Sequence, residues 1–186
     1  MTKPIKKCMD DPPEHNNMNV YILHNPTEGI LKDLFSACGQ MLGNYLDSCK
    51  NIEKGYSHLF KCFQSQACIA YAHSKGVLIN SKVFKKLPKE VRRNIYSMNF
   101  GGAHIIKPKG LAGSANFISD RDAIPMITSP IEMISHAFAE KDYIEKLDGN
   151  GIYGLDHSFN NDTYQKALNK TAPNLASYLR SRHENN

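Results

Sequence analysis

Apolar positions along the chain fall into two regimes, short unbroken runs and longer stripes at helical spacing. The short runs lie at 19–23, 67–71, 94–100 and 115–119, and each reads as a buried strand. Between them run the stripes. Ile30, Leu31, Leu34, Phe35, Cys38, Met41, Leu42 and Tyr45 form the first, with Thr27 placed to cap it. Ile52, Tyr56, Leu59, Phe60 and Phe63 predict a helix over 50–63, and Val77, Leu78, Val83, Phe84 and Leu87 predict the next. A last helix over 161–179 carries Tyr164, Ala167, Leu168, Leu175 and Leu179. Residues 131–147 fit a helix, a strand or a mobile flap, and 152–155 form a final short run leading to Asp156 and His157. Strands alternating with helices predict an α/β fold, a mostly parallel sheet flanked by helices. In such sheets ligand sites gather beyond the carboxyl ends of the strands. The polar residues that end these runs are His24 and Asn25, Ser74, Asp120 or Asp122, and His157.

The sharpest break is Ala72-His73-Ser74-Lys75-Gly76, where the period changes from strand to helix across a tight turn. A serine at such an apex has its hydroxyl pushed out of the top of the sheet. The strained turn needs small neighbours two residues to either side, and Ala72 and Gly76 supply them. The next amide, that of Lys75, opens a helix and faces the same space, where it can stabilise a developing oxyanion. The bland reading is a helix N-cap, and the five residues alone leave the two even.

Composition narrows the classes. A chain of 186 residues suits one domain, with residues 1–18 read as a loosely packed leader and 19–186 as the folded unit. Mean hydropathy of −0.47 and the lack of a long apolar run predict no transmembrane segment, and no conventional signal peptide is visible, so a cytoplasmic protein is expected. Five cysteines without C-x-x-C spacing read as reduced thiols, with no metal site. The net charge of +5 is modest, and the lysines and arginines are spread apart from one cluster, Lys82, Lys85, Lys86, Lys89, Arg92 and Arg93. That cluster lacks interleaved aromatics, so it reads as a solvated helix face and no nucleic-acid partner is expected.

The turn at 72–76 resembles the nucleophile elbow G-x-S-x-G of the α/β-hydrolase superfamily, with alanine at the first glycine. The order Ser74, then an aspartate, then His157 is also that of the superfamily, so the resemblance spans about 20–179. It implies a truncated α/β-hydrolase with Ser74 as nucleophile and His157 as general base. Asp122 is the implied acid, because Asp122-Ala123-Ile124-Pro125 is similar to the Asp-x-Val-Pro associated with the acid in many lipases and esterases. Asp120 is the alternative acid. Lys75 and Asn25 are the implied oxyanion donors, although His24-Asn25-Pro26-Thr27 stands where lipases often show His-Gly. The usual first hairpin and a large lid insertion are missing. The superfamily implies no cofactor, and a small-molecule or lipid ester or thioester as substrate. The segment 25–29 with this elbow also resembles a family of uncharacterised chlamydial proteins, which adds no chemistry. A non-catalytic interaction protein or effector on a hydrolase scaffold is the rival from another class.

Overall fold

The computed structural model describes residues 47–62, 67–138, 141–153 and 156–184. In chain order the elements are α1 (Asp47–Cys62), β1 (Cys68–His73), α2 (Lys75–Lys86), α3 (Lys89–Arg92), β2 (Ile95–Phe100), β3 (Gly113–Ser119), α4 (Ala123–Thr128), α5 (Pro130–Phe138), β4 (Ile144–Leu147) and α6 (Asp162–Glu184). The four strands lie side by side in the order β1-β2-β3-β4, and every neighbouring pair is parallel. The fold is α/β. The first apolar run and first stripe, at 19–45, lie outside the described residues, as does the leader.

Alternation along the strands sends side chains to two separate cores. Ala70 and Ala72 of β1 and Ile95 of β2 face Val77, Ile79, Val83 and Phe84 of α2, with Cys49 and Tyr56 of α1 behind them. Tyr56 and Phe84 meet edge to face at 5.5 Å. On the opposite face Met98, Phe100 and Phe117 pack beneath Tyr164, Ala167, Leu168 and Leu175 of α6. Phe100 and Phe117 stack at 4.9 Å. Each large side chain buried this way contributes about 1.5–3 kcal/mol relative to exposure. A sheet covered on both faces explains why β2 and β3 carry so little exposed surface.

The connection from β2 to β3, residues 101–112, contains no helix. Its apolar residues still cover the sheet, with Ile105 and Ile106 buried. A buried irregular segment needs partners for its peptide groups. Asn116 of β3 supplies them, its Oδ1 accepting from the Ile106 N–H at 3.0 Å and its Nδ2 donating to the Ile106 carbonyl at 2.9 Å. Ser114 Oγ donates to that same carbonyl at 2.7 Å. The side chains of Asn116 and Ser114 therefore stand in for the backbone ladder a helix would have provided.

The segment 131–147 splits into α5 and β4. Met133 packs with Ile105, Ile118 and Ile144, which sets α5 on the sheet. The described part of the short run at 152–155, Ile152 and Tyr153, forms no strand. The strand before His157 is β4, and Ile152 and Tyr153 sit in an exposed bend at 73% and 81% exposure. No helix among the described residues is long and apolar enough to cross a membrane.

Candidate active site

β1 ends at His73 and α2 begins at Lys75, so Ser74 is the single residue between strand and helix. It has φ 54° and ψ −125°, and among the described residues it is the one non-glycine with positive φ. That conformation costs on the order of 1–3 kcal/mol and persists only where the surroundings over-determine it. Here three main-chain hydrogen bonds do so. Ser74 N donates to the Phe100 carbonyl at 3.1 Å, and the Ser74 carbonyl accepts from Val77 N at 3.1 Å and Ala103 N at 3.2 Å. No acidic side chain occupies the first turn of α2, so nothing there offsets the positive end of the helix. The small neighbours also fit. A methyl added at Gly76 would lie 4.0 Å from the Ala72 Cβ, so ordinary contact is already reached at that size.

Ser74 Oγ lies 2.7 Å from His157 Nε2, and His157 Nδ1 lies 2.8 Å from Asp122 Oδ2. A carboxylate only accepts, so Nδ1 carries the proton. Nε2 is then the acceptor for the serine hydroxyl. Asp122 and His157 are both buried, at 1% and 7% exposure. Asp122 caps α4, its Oδ1 accepting from Ile124 N at 2.9 Å. Its Oδ2 takes a second donor, the Tyr164 hydroxyl at 2.6 Å. Burial first, and the Asp122 charge second, push the Tyr164 phenol well above its ordinary pKa, so it remains a donor. The carboxylate thus accepts from three groups, which fix its orientation. Room for it depends on Gly101, at φ 51°, where a Cβ would stand 2.7 Å from Asp122 Oδ2 and 2.8 Å from the Tyr164 hydroxyl oxygen.

His157 sits on the loop between β4 and α6, and Asp156 fixes that loop. Its Oδ2 accepts from Ser119 Oγ at 2.6 Å and Thr163 Oγ1 at 2.9 Å, and its Oδ1 from Asn161 Nδ2 at 2.7 Å. Burial opposes ionisation of Asp156, yet the hydrogen bonds from Ser119, Asn161, Thr163 and Gly151 outweigh it and hold the carboxyl below its usual pKa. A folded-state pKa depressed in this way contributes stability above the unfolded carboxylate pKa of about 4, and the contribution disappears as pH falls through the folded value. The wild-type advantage over Asp156→Asn in urea midpoint should therefore be largest near neutral pH and shrink below about pH 4. An advantage that stays constant across that range would contradict this role.

The structure brings Ser74, Asp122 and His157 together and leaves Asp120 outside. Asp120 is exposed, and its Oδ1 accepts from Gly149 N at 2.8 Å. It pins the start of the loop that leads to His157. Lys75 is the first residue of α2, directly after Ser74. Asn25 lies outside the described residues. Protein-family models, curated proteins and solved structures were compared with the chain, and none matches. The geometry alone carries the functional reading.

Four residues at the site carry no sequence signal of their own. Tyr164 reads as the first apolar position of the last helix, Gly101 as a strand stop, Asp156 as a neighbour of His157, and His73 as a spacer in the turn. No group of three or more potential metal ligands occurs among the described residues. Cys49 and Cys68 are free thiols, and burial pushes Cys68 up to about 11, which keeps it protonated and unreactive at neutral pH. A cavity of about 380 Å³ opens along α1 between Lys50, Glu53, Lys54, Ser57, His58 and Lys61, and none of the site residues Ser74, Asp122 and His157 lines it.

Proposed function

We propose that the protein is a serine hydrolase of α/β-hydrolase type that cleaves an ester or thioester through an acyl-enzyme. The observation that carries this reading is the hydrogen-bonded line from Ser74 to His157 to Asp122, anchored on a serine held at φ 54°. In the first half-reaction Ser74 Oγ attacks the acyl carbon as its proton passes to His157 Nε2. The tetrahedral intermediate collapses, the C–O or C–S bond to the leaving group breaks, and the departing alcohol or thiol takes the proton from Nε2. Water then repeats the sequence on the acyl-enzyme, giving the carboxylic acid and restoring the Ser74 hydroxyl. Asp122 stabilises the imidazolium formed in each half and keeps the Nδ1–H tautomer. The Lys75 amide, at the positive end of α2, is one oxyanion donor in this scheme, and Asn25 is the other. The chemistry needs no cofactor.

The test is hydrolysis of a nitrophenyl ester series by the full-length chain and by Ser74→Ala. Turnover that disappears into background in the variant, with the fold intact by circular dichroism, supports the proposal. Equal turnover by both proteins would remove it.

A further inference from the structure

His73 closes β1 immediately before Ser74, and the reaction above gives it no role. Its ring centroid lies 4.8 Å from that of His157, 5.6 Å from Phe159 and 6.1 Å from Tyr164. Its Nε2 stands 2.6 Å from the main-chain carbonyl oxygen of His157. A carbonyl oxygen only accepts, so Nε2 carries the proton and donates.

Ser74 and His157 are separated by 83 positions in the chain, yet they must hold one proton-transfer distance. Ser74 is fixed by main-chain bonds to Phe100 and Ala103. The loop bearing His157 belongs to no strand, and Asp156 ties it to Ser119 of β3 and to Asn161 and Thr163 near the start of α6. None of those partners belongs to β1. The contact from His73 runs directly from the strand that delivers the nucleophile to the peptide that carries the base. We infer that His73 is a positioning residue, setting the Ser74–His157 geometry through its Nε2–H bond to the His157 carbonyl. This rests on the serine-hydrolase reading.

The charge state suits that task. Burial, followed by the neighbouring His157, pushes His73 down to about 4, so the ring is neutral near pH 7. The titratable groups facing it are His157, Tyr164 and the Asp122 carboxylate. A cation at His73 would oppose formation of the His157 imidazolium, whereas a neutral donor holds the loop without that penalty.

Two substitutions separate positioning from packing. His73→Phe keeps a ring against His157, Phe159 and Tyr164 but loses the donor. His73→Gln loses the ring and keeps an N–H within reach of the carbonyl. The readouts are kcat and KM for a nitrophenyl ester, with the second-order rate of Ser74 phosphonylation by a fluorophosphonate. A base displaced by about 1 Å slows reaction by roughly a hundredfold. His73→Phe should therefore lose about thirty- to a hundredfold in kcat and in labelling rate with KM nearly unchanged, and His73→Gln should recover most of it. Wild-type rates in His73→Phe, or no recovery in His73→Gln, would overturn the inference. Independently of either variant, nitrogen chemical shifts of wild-type His73 should report a neutral ring protonated at Nε2 between about pH 5.5 and 8. A ring protonated at Nδ1 alone, or one titrating near its ordinary pKa, would also overturn it. If wild-type protein does not react with the fluorophosphonate, the hydrolase reading fails and takes this inference with it. If wild-type reacts and His73→Phe reacts equally fast, the inference alone fails.

Discussion

Asp122→Asn should lower kcat for ester hydrolysis by about ten-thousandfold, while Asp120→Asn stays close to wild type. The two aspartates are separated by one residue, and their surroundings differ completely. Asp122 is buried, caps α4 and accepts from both His157 Nδ1 and the Tyr164 hydroxyl. Asp120 is exposed and accepts from the Gly149 amide. An amide at position 122 can offer an N–H to His157, which favours the tautomer with the proton on Nε2. That proton would face the Ser74 hydroxyl and block transfer from it. Asp120→Asn keeps a side-chain oxygen able to accept from the Gly149 N–H, so that contact at the edge of the loop is retained. A large fall in Asp120→Asn with little change in Asp122→Asn would reverse the assignment of the acid.

Gly101→Ala should reduce both stability and activity, and Gly110→Ala should reduce only the first and by less. Both glycines have positive φ, 51° and 79°, so both substitutions carry the left-handed backbone term of about 1–2 kcal/mol. At Gly110 a Cβ meets nothing nearer than the Arg92 guanidinium at 3.7 Å. At Gly101 it meets Asp122 Oδ2 at 2.7 Å and the Tyr164 hydroxyl oxygen at 2.8 Å, and one of these has to move. The hydrogen bond between that carboxylate and phenol is strained whichever moves. The total for Gly101→Ala is about 3 kcal/mol, a fall in Tm on the order of 10 °C, with a roughly hundredfold loss of kcat. Thermal melts and steady-state kinetics on both variants check this. Equal behaviour of the two would show that the space beside Asp122 is not limiting.

The α/β alternation was legible because each period change coincides with a change of element, most sharply between Tyr71 and Val77. The residues the structure brings together at Ser74, Asp122 and His157 were legible as polar groups following apolar runs. What escaped the sequence depends on contacts between distant residues. Asn116 reads as an interruption in an apolar run, yet it supports the helix-free crossing from β2 to β3 through Ile106. Tyr164 meets Asp122 across 42 positions, and local periodicity can report only that its ring is buried. The segment 131–147, which holds β4, stayed open between helix, strand and flap for another reason. β4 is a short strand at the edge of the sheet formed by the described residues, and its Glu145 and Lys146 break the apolar alternation, as edge strands commonly do. The nearby run at 152–153 is more apolar and lies exposed. Hydrophobicity alone ranks those two segments in the wrong order.

Covalent labelling reports whether Ser74 is an activated nucleophile. Folded full-length protein would be treated with a fluorophosphonate, its mass measured intact, and the modified peptide sequenced. One adduct is expected, on the peptide containing Ser74, absent from Ser74→Ala, slowed by orders of magnitude in His157→Ala and abolished by prior denaturation. No adduct on the folded wild type, or an adduct on another residue with Ser74 unmodified, would contradict activation of Ser74.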